Sequence, residues 1–219
     1  MAGANAALKI QGRPPFVLQR SEAYMGVMID DLVTKGTSEP YRLFTSRAEY
    51  RLLLRQDNCD LRLTPRAAEV GLVDGVRQEH TRHKAALFEE AKALSCAATV
   101  DGIRLDKWIR RNENDHTLLP SDIRVKFNSE IWTLLENELK YEGYVTRQEN
   151  MVERTSKMED KAIPSTLDYA EIHGLKKEAQ LKLQAMRPAT LGQAGRIQGV
   201  TPADIALLAI VLRKAKASL

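Results

Sequence analysis

The sequence predicts a mainly α fold, a helical bundle with a small C-terminal three-helix subdomain. A long stretch from about Ser129 to Asp160 carries Ile and Leu at helical spacing among Glu, Lys, Arg and Gln. Asp74 precedes a second long helical pattern, as a capping residue does. Three shorter patterns near the C-terminus begin or end at capping residues or prolines. These observations together favour helices packed on helices.

The first forty residues contain two short patterns. The run from Ala4 to Leu8 would end a helix, and the sequence from Gly12 to Pro15 would be an irregular exit from it. Residues Tyr24 to Val33 are apolar and are compatible with either a short strand or a buried helix, because periodicity does not decide between them. Glu39-Pro40 breaks the pattern, so the sequence predicts a boundary at residue 40.

Arginine recurs from Tyr41 to Arg66, a stretch named here the arginine segment. Its Ser46-to-Glu49 sequence matches a capping box, which predicts a helix starting at about Arg47. Three arginines four residues apart would line one side of that helix, with apolar residues over most of the rest. The arginines of the segment are Arg42, Arg47, Arg51, Arg55, Arg62 and Arg66.

Two interpretations of these arginines remain open. Guanidinium groups are always charged and planar, and they suit bidentate contact with phosphate, so a polyanion is one ligand to expect. The alternative is internal, because Glu49, Asp57 and Asp60 are near enough in sequence to pair with some of them.

Two helices are predicted after the arginine-lined helix. Thr64 and Pro65 suit the N-cap and first position of a short helix that stops at Gly71. Asp74 caps a longer helix that runs to about Leu94. Residues 95–120 have weak patterning and mixed charges, with a helical turn at about 105–111, and we interpret them as an insertion.

The C-terminal part begins where Ile163-Pro164 ends the long helix, because proline disfavours helix at the preceding residue. Three short helices are predicted there: one over about 176–186, one starting at Thr190 with Gln193 as capping-box partner, and one capped by Thr201 with proline in its first turn. The predicted divisions are residues 1–40, 41–162 and 163–219.

Composition favours a soluble protein with an acidic partner. The 219 residues carry a net charge of +4 and a sequence pI near 9.0. Cys59 and Cys96 belong to no C-x-x-C sequence, as expected of reduced thiols. The longest apolar run, Ile205 to Leu212, is too short for the about 20 residues of a membrane span. With no visible signal peptide, we expect a cytoplasmic protein.

The sequence offers no recognisable catalytic centre. It contains no G-x-G-x-x-G and no Walker sequence, so a nucleotide phosphate has no expected cradle. His80 and His83 have the spacing of one helix face, but no second ligand cluster accompanies them, so surface histidines are the better interpretation. No serine lies in a nucleophile-elbow sequence.

Two later stretches bear on nucleic acid. Lys140, Tyr144, Arg147 and Gln148 would form one stripe of the long helix, where tyrosine stacks on unpaired bases and the cations hold phosphates. Packing of the tyrosines between helices is the alternative. A helix-turn-helix with Gly199-Val200 at its turn is a weaker hypothesis, because the second helix is too apolar to contact base edges. Arg187 and Arg196, at helix ends, are candidates for contact with phosphate or an acidic protein, in a compact docking module.

Three motifs together resemble one family. They are E-P-Y-R-L-F-T-S-R-A-E-Y-R-L from Glu39, K-Y-E-G-Y from Lys140 followed by Arg147-Gln148, and R-P-A-T-L-G-Q-A from Arg187 followed by G-V-T-P-A from Gly199. In this order they resemble the C-terminal part of the MnmG (GidA) family of FAD-dependent tRNA wobble-uridine modification enzymes. The resemblance runs from about Asn5 to the end and is poor across residues 95–128.

The resemblance implies a function for the whole enzyme. Family members act with the GTPase partner MnmE on C5 of uridine 34 in tRNA, use FAD, reduced nicotinamide and a folate one-carbon donor, and are expected to be homodimers. The flavin domain and its catalytic cysteines would precede this region, residues 1–40 would be the end of that domain, and no cofactor is expected in the chain itself. The tRNA-binding residues that the resemblance and the two motifs suggest are Arg42, Arg47, Arg51, Arg55, Arg62, Lys140, Tyr144 and Arg147, with Arg187 and Arg196 for partner or tRNA docking. A free-standing protein-interaction module is the alternative.

Overall fold

The structure is a computed structural model that describes residues 1–34, 36–37, 39–159 and 161–217. Over these residues the chain is mainly helical, which confirms the predicted fold class. Short 3-10 turns lie at Thr45–Arg47 and His116–Leu118, and two strands, β1 (Thr99–Val100) and β2 (Ile103–Arg104), form a hairpin. The helices are α1 (Ala2–Ile10), α2 (Tyr24–Thr34), α3 (Cys59–Glu69), α4 (Gly75–Ala97), α5 (Leu105–Ile109), α6 (Ser121–Arg124), α7 (Ser129–Glu159), α8 (Lys177–Met186), α9 (Leu191–Arg196) and α10 (Pro202–Ala217).

The chain divides into two compact units, and both are discontinuous. Unit 1 contains Met1–Ala23 and Tyr50–Gln148, and unit 2 contains Tyr24–Glu49 and Glu149–Leu219. The arginine segment is therefore split, with Arg42 and Arg47 in unit 2 and its later arginines in unit 1. The boundaries at residues 40 and 162 stay predictions about domain organisation.

Helices α4, α5 and α7 build the core of unit 1. The apolar stripe of α7 is buried through Ile131, Trp132, Leu134 and Leu135, at the spacing expected of one helix face. The indole N–H of Trp132 donates to the Arg124 carbonyl at 2.9 Å, so burial of this side chain leaves no polar atom unpaired. Further buried residues of this core are Phe88, Ala91, Val100, Leu105, Trp108, Ile109, Leu119 and Ile123.

Residues 95–120, interpreted from sequence as an insertion, contribute buried side chains to this core. Asp101 and Gly102 both have positive φ, 50° and 75°, and form the two-residue turn between β1 and β2. The hairpin leads into α5, whose Leu105 and Ile109 are completely buried. The predicted helical turn near 105–111 is confirmed as α5.

Unit 2 packs its C-terminal helices around a separate core. Buried side chains from α8, α9 and α10 meet there, among them Leu183, Leu191 and Leu208. The predicted caps are present: Thr190 Oγ1 accepts from the Gln193 N–H at 3.2 Å, and Asp204 Oδ2 accepts from the Thr201 N–H at 2.8 Å. Helix α2 belongs to this unit and settles the ambiguity of residues 24–33 in favour of a helix.

The prediction that a helix starts at about Arg47 is wrong. Residues Thr45–Arg47 form one 3-10 turn, and Ala48 is extended at φ −95° and ψ 104°. A second turn follows, in which the Tyr50 carbonyl accepts from the N–H groups of residues 53 and 54. A helix this short is marginal in isolation. The backbone conformation is therefore set by the burial of Ala48 and Leu54 and not by local helix preference.

Helix α3 begins at Cys59, five residues before the predicted N-cap, so Pro65 lies inside it. Proline removes one backbone hydrogen bond there. Side-chain bonds to the first turn compensate: Arg62 Nε donates to Asn58 Oδ1 at 2.8 Å, and the buried Lys84 Nζ lies 2.9 Å from Asp60 Oδ2. The stop after α3 and the Asp74 cap of α4, which accepts from the Arg77 N–H at 2.8 Å, are confirmed.

Candidate nucleic-acid interface

Arg55 is held inside unit 1. Its side chain is only 10% exposed, and its Nη2 lies 3.0 Å from Glu138 Oε2 on α7. Its Nε lies 3.1 Å from Asp57 Oδ1, and Asn137 Nδ2 fixes the other oxygen of that carboxylate at 3.0 Å. The guanidinium therefore has two carboxylate partners, and its role in tRNA binding stays a prediction.

Arg62 is similarly occupied. Its guanidinium donates to the Asn58 side chain, to the Glu22 carbonyl and, at 3.3 Å, to the Arg55 carbonyl. Burial lowers the pKa of Arg62, and the neighbouring charge of Arg55 acts in the same direction. A guanidinium still stays charged at neutral pH, so the contribution of Arg62 is a fixed positive charge beside Arg55 and Asn58.

Lys140, the first member of the predicted stripe on α7, sits in a polar network. Its Nζ lies 2.7 Å from Glu136 Oε1 and 2.7 Å from the Asn114 carbonyl. The other oxygen of Glu136 lies 3.0 Å from His116 Nδ1. Burial tends to raise the pKa of Glu136, but the hydrogen bonds from Lys140 and His116 outweigh burial and lower it.

Two further members of the stripe face outward. Tyr144 is 59% exposed, and Arg147 on the next turn of α7 is exposed as well. The alternative that Tyr144 packs between helices does not agree with this exposure. Arg51 is exposed in the same unit, and among the residues that the structure describes neither Arg51 nor Arg147 has an ion-pair partner.

Gln148 joins these two parts of unit 1. Its Oε1 accepts from the Leu52 N–H at 3.2 Å, a bond between residues 96 positions apart in the chain. Arg51 and Arg147 each lie one residue before a partner of this bond, so the turn at residues 50–54 lies beside the part of α7 around residue 148. Arg51, Tyr144, Arg147 and Gln148 are named here the α7 surface.

In unit 2, Arg42 is exposed, whereas Arg47 lies 3.4 Å from Asp31 and 5.4 Å from the ring centroid of Tyr41. Both docking candidates also have partners. Arg196 forms a bidentate pair with Asp30 on α2, and Arg187 donates to the carbonyls of residues 165 and 167 from a left-handed C-cap. Arg196 docking therefore requires that its pair with Asp30 opens.

Sequence reasoning missed the residues that position the cations. Three residues of α7 bind some of the basic side chains or their partners and leave the others exposed: Glu136, Asn137 and Glu138. The sequence analysis named none of them as a site residue. One signal was available, because these three residues follow the buried Leu135 directly on α7, beside the apolar stripe. The pairing with Arg55, 83 residues away, has no signal in the sequence.

The described residues do not fit a dinucleotide or a metal. A dinucleotide cradle needs a parallel strand leading through a glycine-rich turn into a helix, but β1 and β2 are antiparallel and are the strands present in the described ranges. Those ranges also contain no group of three His, Cys, Asp or Glu side chains placed to hold a metal ion. In the same part of the chain, no helix is long and apolar enough to cross a membrane.

Comparisons with known proteins agree with the motifs. Residues 151–219 match the family model of the tRNA modifying enzyme MnmG/GidA C-terminal helical bundle. The tRNA uridine 5-carboxymethylaminomethyl modification enzyme MnmG of Streptococcus thermophilus is 44% identical over 97% of this chain, and that of Protochlamydia amoebophila is 47% identical over 98%. The chain spans 37% and 35% of these two relatives.

The fold is shared as well. The structure of Aquifex aeolicus GidA in its form II crystal superposes with a TM-score of 0.80 at 40% identity, over 96% of this chain and 36% of that one. The form I crystal gives the same TM-score at 41% identity. The chain therefore belongs to the MnmG/GidA family of tRNA-modifying enzymes, and its residues 151–219 are the C-terminal helical bundle of that family.

Proposed function

We propose that this chain is the tRNA- and partner-binding region of an MnmG enzyme, which modifies C5 of the wobble uridine together with the GTPase MnmE. On this proposal the chain carries no catalytic centre, and the remaining part of the enzyme binds FAD and reduced nicotinamide and forms the homodimer. The family membership supports the tRNA substrate, and the motif resemblance supports the partner and cofactors.

The α7 surface is the observation that carries the proposal. Arg51 and Arg147 are exposed and, within the described ranges, unpaired, and Tyr144 lies between Lys140 and Arg147 along α7. Cations beside an exposed aromatic ring are the arrangement with which proteins hold single-stranded nucleic acid, since the ring stacks on a base and the cations neutralise phosphates. The anticodon loop of tRNA offers unpaired bases of this kind.

A salt titration tests tRNA binding directly. A gel shift of the chain with an unmodified tRNA should show that affinity falls steeply with salt, because each phosphate contact releases a counterion. Arg51→Ala and Arg147→Ala should each weaken binding about fivefold and lower the salt slope by about 0.7 to 0.9.

Arg77→Ala is the matched control. Arg77 is also an exposed arginine of unit 1, on α4, and its side chain has no hydrogen-bond or ion-pair partner among the described residues. Its loss removes the same charge, so it should change the affinity less than twofold. Equal effects of all three substitutions would reduce the binding to general electrostatics, and no tRNA binding by the chain would contradict the proposal.

A protein-interaction module is the second candidate function. It is favoured by the internal pairing of Arg55, Arg62, Lys140 and Arg196, which leaves fewer free cations than the sequence suggests. Exposed apolar side chains of the C-terminal bundle, namely Leu181, Met186 and Ile210, support protein contact. Capture of MnmE by the chain without any tRNA binding would favour this function.

A further inference from the structure

The bond between Gln148 and the Leu52 N–H lies at the centre of the α7 surface. The turn at residues 50–54 uses the Tyr50 carbonyl to accept from the N–H groups of Leu53 and Leu54, at 2.9 and 3.2 Å. The half-buried Leu52 N–H is instead satisfied by Gln148 Oε1. Leaving a partly buried N–H without a partner costs free energy, so this amide favours the conformation in which Gln148 accepts from it.

The carbonyl group of Leu52, in the same turn, also has a side-chain partner. Arg55 Nη1 donates to the Leu52 carbonyl at 3.2 Å while its Nη2 binds Glu138 of α7. The Leu52 peptide groups are thus bound on both sides by residues that α7 positions. Leu54 is buried, so the turn has little freedom beyond the side chain of Arg51.

We propose that Gln148 is a positioning residue for phosphate binding: it fixes the Leu52 backbone so that Arg51 and Arg147 act together on one RNA strand. This inference rests on the proposed function of the α7 surface. The ligand class is a phosphodiester backbone that contacts two guanidinium groups from separate parts of the chain. Preorganisation of this kind raises affinity because the ordering cost of the arginine-bearing turn is met before RNA binds.

Gln148→Met tests the inference, because methionine keeps the length and apolar stem of glutamine but cannot accept from the Leu52 N–H. In free protein, amide exchange of residues 50–54 should accelerate at least tenfold, with the exchange of α4 unchanged. In RNA binding, Gln148→Met should weaken the affinity of the chain for tRNA about fivefold.

A double-mutant cycle separates positioning from general destabilisation. Arg51→Ala should weaken tRNA binding about fivefold in the wild-type background and less than twofold in the Gln148→Met background. In the second background the turn that carries Arg51 is no longer held by Gln148, so Arg51 already contributes little to the affinity. Arg42 lies in unit 2, and Arg42→Ala should weaken binding by the same factor in both backgrounds. A general loss of fold in Gln148→Met would not produce coupling to Arg51→Ala without coupling to Arg42→Ala.

The possible outcomes separate this inference from the proposed function. If the wild-type chain binds tRNA but Gln148→Met and Arg51→Ala act additively, the positioning role is overturned and the proposed function stands. Unchanged amide exchange in Gln148→Met would also overturn it, without any RNA in the experiment. If the wild-type chain binds no tRNA, both the proposed function and the role of Gln148 in RNA binding are wrong.

Discussion

Arg196 on α9 and Asp30 on α2 form a bidentate ion pair inside unit 2, with Nε to Oδ2 at 2.6 Å and Nη2 to Oδ1 at 2.9 Å. Both side chains are largely buried, at 18% and 10% exposure. The two residues lie 166 positions apart in the chain, so this pair joins α2 to the C-terminal helices.

Breaking this pair should destabilise unit 2. Arg196→Ala leaves the buried Asp30 carboxylate without its bidentate partner, and we expect the free energy of unfolding to fall by roughly 3 kcal/mol. Urea denaturation followed by circular dichroism measures the change. Adding Asp30→Asn should recover part of the loss, and an unchanged urea midpoint for Arg196→Ala would show that the pair contributes nothing.

Arg55 and Arg51 should behave in opposite ways. Arg55→Ala removes two carboxylate contacts and a bond to the Leu52 carbonyl, so we expect a loss of roughly 3 kcal/mol in unfolding free energy. Arg51→Ala removes an exposed side chain and should change that free energy by less than about 0.5 kcal/mol. Thermal and urea unfolding of both variants decide this, and equal stability losses would contradict the division into held and exposed arginines.

Glu136 should make the stability depend on pH in the acidic range. Its pKa is lowered in the folded state, so its contribution is complete above the ordinary glutamate value of about 4.3 and is lost as the pH falls below it. Glu136→Gln should lower the unfolding free energy by about 1 to 2 kcal/mol at pH 7. The difference from wild type should shrink as the pH falls below the ordinary glutamate value and through the lowered pKa of the folded state, and a constant difference across the acidic range would exclude the proposed cause.

Glycine is required at position 199 by the positive φ of the backbone and not by a lack of space for a side chain. Its φ is +95°, and a Cβ there would lie 2.5 Å from Glu178 Oε1, the mobile end of an exposed side chain. Gly199→Ala should cost about 1 to 2 kcal/mol of unfolding free energy, mainly because alanine disfavours that φ. If so, Glu178→Ala in the same chain restores little of the loss, whereas full recovery would assign the cost to the side-chain contact.

The elements that could be predicted from the sequence are those fixed by nearby residues. Asp74 before α4, Thr190 before α9 and Thr201 before α10 cap their helices with hydrogen bonds that span three residues. The 47–55 helix failed because Ser46 and Glu49 supply only a local preference, while Leu54 and Arg55 gain more from contacts across unit 1. The Asp101-Gly102 pair was a usable hairpin signal that the weak patterning around it obscured.

The sequence predicts which residue types form the candidate surface, but not which of them are exposed. The sequence identifies Arg51 and Arg55 as equivalent members of one stripe, yet one is exposed and the other is held by Glu138. Their difference depends on the turn at residues 50–54 and on partners more than 80 residues away. The motifs identified the family and the candidate residues, but which of those residues are exposed could be learned only from the fold.

The discontinuity of the two units limits how the protein can be dissected genetically. A gene fragment encoding residues 149–219 would lack α2, and with it the Asp30 carboxylate to which Arg196 is bound. A polypeptide that isolates unit 2 should instead fuse residues 24–49 to residue 149 by a short flexible linker. Truncation experiments that assign binding to one half of the chain are interpretable only when both segments of that half are kept.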